Sequence, residues 1–176
     1  YQKARAIDPL SPRMMTGYGF LLGLMRQYDR ALMVLRESVE QFPEYVNTWS
    51  FIGLTSSWAG RHDEAIAVQS RMMPTETNPT VLVLKGIILA RAGRIAEARA
   101  IAGQADEMAQ VRFMQPYYRA QLHAALGDRE LALTLLEQTV RDGEWFAAWL
   151  PHDPGVDVLR SDPRFAALLQ RSVARH

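Results

Sequence analysis

Residues 59–68 read AGRHDEAIAV and residues 92–101 read AGRIAEARAI. The second stretch restates the first, and a third copy, LGDRELALTL, follows at 126–135. Ala65, Ala98 and Ala132 hold one place in this pattern, and Ala31 holds it again upstream, at spacings of 34, 33 and 34. Twelve residues before each stands a small residue: Gly19, Gly53, Gly86 and Ala120. Five residues before the last three stand Gly60, Gly93 and Gly127. Self-similarity at a period of roughly 20–50 residues is the mark of a repeat architecture.

Each unit reads as two helices. NTWSFIGLTSSWAG forms the first, ending at its turn glycine, and RHDEAIAVQSRMM the second, with apolar residues at three- and four-residue spacing in both. Gly60, Gly93 and Gly127 sit where the chain must reverse, and glycine takes the left-handed conformation there at little cost. Glycine inside a helix costs up to about 1 kcal/mol relative to alanine. Gly19, Gly53 and Gly86 therefore predict a close helix crossing, the missing side chain on one helix facing the alanine methyl on the other. A hairpin of about 34 residues cannot bury its apolar face alone; stacking the next one does so.

The period, Trp49 four residues before Gly53, the glycine-to-alanine spacing and Pro43 closing the first full unit together resemble the tetratricopeptide repeat family. The resemblance covers residues 1–143 and implies an all-α fold, a right-handed superhelical solenoid of antiparallel helix pairs. The expected divisions are the second helix of a truncated repeat at 1–11, repeats at 12–45, 46–78 and 79–112, a degenerate repeat at 113–143 and a helical cap at 144–176. The second repeat matches best and the fourth least. The first segment, YQKARAIDPLSP, reads as half a repeat, which predicts a further helix before Tyr1.

Asp153-Pro154 and Asp162-Pro163 mark helix starts, because aspartate accepts from free amides and proline suits the first helical position. They predict short helices from about Trp145, over 154–160 and over 163–173. Trp145 and Trp149 are expected to seal this cap, and Met14, Met15, Met72 and Met73 to fill core gaps.

Chemistry is hard to find. His62, His123, His152 and His176 show no metal-ligand spacing, so no metal site is expected. There is no cysteine, hence no thiol nucleophile or disulfide. No nucleophile-elbow or phosphate-loop motif occurs, and the acidic residues of the repeated motif belong to helix starts, where they favour the positive helix end. The reading is of a protein with no enzyme activity and no cofactor.

In the implied solenoid the first helices line a concave side that binds peptides. Helical projection places Arg13, Thr16, Phe20 and Leu24 there in the first full repeat. Asn47, Ser50, Leu54 and Trp58 follow in the second, Thr80, Val83, Ile87 and Arg91 in the third, and Met114, Tyr117, Gln121 and Ala124 in the fourth. Family members that clamp a peptide carboxylate carry Lys, Asn and Arg at such places. Here Thr16, Phe20 and Asn47 stand there instead, with Arg91 alone basic. The expected groove is apolar, with Phe20, Trp58 and Tyr117 as anchors; the alternative is that these aromatics pack within the array or against a neighbouring domain.

The chain has 176 residues, 48% of them apolar, and a net charge of +1, which speaks against a nucleic-acid partner. Its 18 arginines to 2 lysines point to a GC-rich bacterial genome. No apolar run is long enough for membrane insertion. The expected partner is a protein or peptide, with a homodimer invited by the exposed N-terminal half-repeat. The expected compartment is the cytoplasm, with the periplasm left open. A second functional reading makes the chain the C-terminal sensor or oligomerisation arm of a bacterial transcription regulator or signalling protein.

Overall fold

The computed structural model describes residues 11–72 and 78–173. The chain divides into two compact units, Tyr1–Pro74 and Thr75–His176, where the repeat pattern alone predicts one continuous array. All regular structure among the described residues is helical. The truncated repeat expected at 1–11 and His176 lie outside the described residues, apart from Ser11.

The first unit holds α1 (Pro12–Leu24), α2 (Tyr28–Gln41), α3 (Asn47–Trp58) and the short α4 (His62–Ala67), which tightens into a 3₁₀ turn over Val68–Arg71. The second helix expected over 61–73 is thus only partly α-helical. Leu32, Leu35, Val39, Ile52 and Val68 form the core, with Trp49 and Phe51 packed on it. The Arg71 guanidinium lies 4.8 Å from the centre of the Trp49 ring. Met15 and Met72 are buried as expected, but Met14 is exposed.

The second unit holds α5 (Pro79–Arg91), α6 (Ile95–Val111), α7 (Pro116–Leu126) and α8 (Arg129–Arg141). Two 3₁₀ segments, Trp145–Trp149 and Pro154–Leu159, and α9 (Pro163–Val173) follow. Asp153 Oδ1 accepts from the Gly155 amide at 2.7 Å and Asp162 Oδ1 from the Arg164 amide at 2.9 Å, as the Asp-Pro pairs predict. The cap continues the register: Asp153 stands one period after Ala120, and Phe165 one period after Ala132. At the place of a first helix in that register stands only the 3₁₀ segment Pro154–Leu159. Phe146 is buried, while Trp145 is exposed and does not seal the cap.

The repeat alanines Ala31, Ala65, Ala98 and Ala132 are all fully buried. The glycines opposite them meet larger groups than the expected methyls. A Cβ on Gly19 would stand 2.5 Å from Leu35 Cγ, and one on Gly86 2.8 Å from Ile101 Cγ2 and 3.0 Å from Leu122 Cδ2. At Gly19 and Gly86 the space is filled from about one turn beyond the alanine, and at Gly86 also by Leu122, so at these two places the close crossing is real and its partner different.

Gly60, Gly93 and Gly127 have φ of 75°, 80° and 84°. Each turn carries the bond that defines a Schellman helix end, for example Arg94 N to Leu89 O at 2.9 Å. Arg26 occupies the same place in the first hairpin, at φ 61°, with Gln27 N on Leu22 O at 2.9 Å. A non-glycine residue pays about 1 kcal/mol or more in this conformation. Arg26→Gly is therefore expected to stabilise the first unit by about 1 kcal/mol, read as a raised urea midpoint.

Candidate interaction site

Within each unit, successive hairpins are joined by polar pairs. Thr16 of α1 and Thr48 of α3 share a buried hydrogen bond of 2.7 Å. Asp29 pairs with Arg61, and Arg36 with Glu64. In the second unit Arg99 pairs with Asp128 at 3.2 Å, Arg129 with Asp162 at 3.4 Å and Arg164 with Glu130 at 2.7 Å. These pairs are largely exposed, so each contributes little energy and mainly fixes register.

The expected concave row is mostly buried. In the first unit Arg13 is exposed and Asn47 half-buried, whereas Thr16, Phe20, Leu24, Ser50, Leu54 and Trp58 are buried. The Phe20 ring meets Phe51 edge-on at 5.1 Å and lies 5.8 Å from Trp58. Ser50 Oγ and Trp58 Nε1 are buried without a hydrogen-bond partner. In the second unit Val83, Ile87, Met114, Tyr117, Gln121 and Ala124 are buried, while Thr80 and Arg91 keep part of their surface. The aromatic anchors Phe20, Trp58 and Tyr117 are therefore core residues in this structure. A helical projection gives direction, not what lies opposite.

Tyr117 and Gln121 point into the cap. The Tyr117 hydroxyl donates to Asp153 Oδ2 at 2.6 Å, and Gln121 Nε2 donates to the same oxygen at 2.9 Å. The Tyr117 ring stacks on Phe146 at 4.8 Å and meets Trp149 edge-on at 6.5 Å. A Cβ on Gly155 would stand 2.4 Å from Gln121 Oε1, so the 3₁₀ turn presses closely on the Gln121 amide of α7. Burial raises the Asp153 carboxyl from 3.8 to about 6, against the lowering effect of the Tyr117 and Gly155 hydrogen bonds. Burial, together with the Asp153 charge, pushes both Tyr117 and Tyr118 well up.

Sequence reasoning did not anticipate a second polar cluster. The buried His123 of α7 places Nε2 3.2 Å from an Asp106 oxygen and Nδ1 3.2 Å from Asp128 Oδ2. Arg119 holds Asp106 at 2.7 Å and Arg99 holds Asp128. The chain of polar contacts from Arg119 through Asp106, His123 and Asp128 to Arg99 ties α6 to α7 and to the turn before α8. Among the described residues no three metal-ligating side chains converge. His62 is half-buried and His152 exposed.

One apolar surface is left open in the first unit. Met14, Leu21 and Met25 stand exposed along α1, with Tyr18 half-buried between them, at the i, i+4, i+7 and i+11 spacing of one helix face. The same register places later in the chain are covered. Thr48 and Thr55, one period after Met14 and Leu21, are fully buried on α3. A side chain on Gly23 of α1 would run into Thr55. Leu122, at the corresponding place on α7, is fully buried beside Gly86.

Helical hairpins in one recurring register, with left-handed turns and buried alanines, define an all-α repeat protein. Residues 79–104 and 117–138 match the tetratricopeptide repeat family model, so these two segments carry tetratricopeptide repeats. The match falls on the third and fourth repeats, not on the second, which reads most clearly by eye. A comparison with curated proteins finds no match. Tetratricopeptide repeats are a protein-interaction fold, and no described helix is long and apolar enough to cross a membrane.

Proposed function

We propose that the chain is a non-catalytic protein-interaction module whose docking surface is the outward face of α1, and that the occupant is a second copy of this chain. The observation that carries this reading is the contrast at one register place. Leu21 is 46% exposed, while Thr55 and Leu122 at the equivalent positions are 0% exposed. The α1 face thus continues the interface by which one hairpin packs on the next. Met25, 63% exposed, and Met14 are flexible side chains that adapt to an imperfectly matched surface. Ala166, Ala167, Gln170 and Arg171 give α9, the last described helix, a small and polar outer side. Pairing through α1 alone is two-fold and closes as a dimer instead of growing into a filament.

Sedimentation velocity over a concentration series tests it. The wild type is expected to shift from monomer to dimer, and the Leu21→Asp/Met25→Asp double variant to stay monomeric with an unchanged helical spectrum. A wild-type protein that remains monomeric at the highest concentration overturns the reading. So does a dimer that the two aspartates leave intact. Loss of amide protection on α1 in a monomer trimmed of residues 1–10 would instead make that segment the occupant.

A further inference from the structure

We propose that the C-terminal cap is held by a proton-controlled latch: Asp153, sealed between α7 and the 3₁₀ segment 154–159, seats the cap more firmly when protonated than when charged. The carboxylate is fully buried. Its hydrogen-bond donors, the Tyr117 hydroxyl, Gln121 Nε2 and the Gly155 amide, are all neutral. Of the charged groups nearby, Arg160 favours the ionised carboxyl by its charge but makes no bond to it: its Nε donates to Asp157 Oδ1 at 2.6 Å and its other donor to the Asp153 backbone carbonyl at 3.3 Å. Asp157 adds a like charge from the cap, and Tyr118 faces the carboxylate from α7 without carrying charge at neutral pH. A buried carboxylate with no cation on it is unfavourable in its ionised form.

The protonated form has a partner waiting. Gln121 Oε1 is buried with nothing to accept from. With its amide turned over, that oxygen meets the acid hydrogen of Asp153, while Tyr117 still donates to the carboxyl. Which end of an amide is oxygen is set by such partners.

The linkage has a definite sign. The folded carboxyl keeps its proton up to about pH 6, against 3.8 for the ordinary group. Between those values the seated cap binds more protons than the released one, so seating weakens as pH rises and the loss is complete above about 6. The difference corresponds to roughly a hundredfold in the opening equilibrium.

Hydrogen exchange of the full chain at pH 5 and pH 7.5, corrected for the intrinsic rate, reads this in the amides of residues 153–159. Wild-type protection is expected to fall by about tenfold between the two pH values, the rest of the effect lying below pH 5. Asp153→Asn keeps an acceptor for the Gly155 amide and removes the titration, so its protection should stay flat. Equal pH profiles for the two proteins overturn the proposal. Carbon-13 titration of the wild-type Asp153 carboxyl gives an answer even if the variant fails to fold. A midpoint near 6 supports the latch, and a midpoint near 4 overturns it.

Discussion

Tyr117→Ala is expected to destabilise the second unit by about 3–5 kcal/mol, the range for deleting a large buried ring. The ring is fully buried between Tyr118, Phe146 and Trp149, with centroid distances of 5.1, 4.8 and 6.5 Å. Its loss leaves a cavity and takes one donor from a buried carboxylate. Tyr117→Phe separates the two effects: the ring stays, and the cost falls to about 1.5–3 kcal/mol, that of a hydrogen bond to a charged group. That smaller cost should shrink below about pH 6, because the hydroxyl favours the ionised form of Asp153. Urea unfolding followed by circular dichroism measures both. A groove residue with a free face would change stability by less than about 0.5 kcal/mol, and such a result for Tyr117→Ala would return it to the groove.

Trp58→Ala is expected to cost the first unit about 3–5 kcal/mol for the same reason. Trp58 is buried beside Phe20 at the end of α3. A Cβ at Gly23 would lie 3.1 Å from Cζ3 of its ring, so α1 gives up a side chain to admit the indole. Trp58→Phe should cost distinctly less, since it keeps most of the packing and removes an indole N–H that has no acceptor. Denaturation curves for the three proteins should therefore rank wild type, Trp58→Phe and Trp58→Ala in falling stability. Equal midpoints would mean that the tryptophan is not part of the core.

The repeat was legible because it is written in residues whose role is local. Gly60, Gly93 and Gly127 announce a left-handed turn through the absence of a side chain, and Asp153 and Asp162 announce helix starts through a proline neighbour. Arg26 escaped notice because it occupies the same turn with no such mark. The candidate site was less legible, since it depends on what packs opposite. Nothing in the run from Pro116 to Leu126 says that Tyr117 and Gln121 face a carboxylate in the cap. Likewise Met14 is expected in the core, and only its exposure, shared with Leu21 and Met25, separates it from Thr48 one period later. The early end of the α-helical part of α4 had no signal beyond the approach to Pro74.

The first and last described helices differ in the surface they turn outward. Repeat proteins lengthen by duplicating a unit, and a new unit must find a face like the one it came from. The exposed apolar face of α1 is therefore of the kind that a further unit could use, and the small, polar outer side of α9 is not.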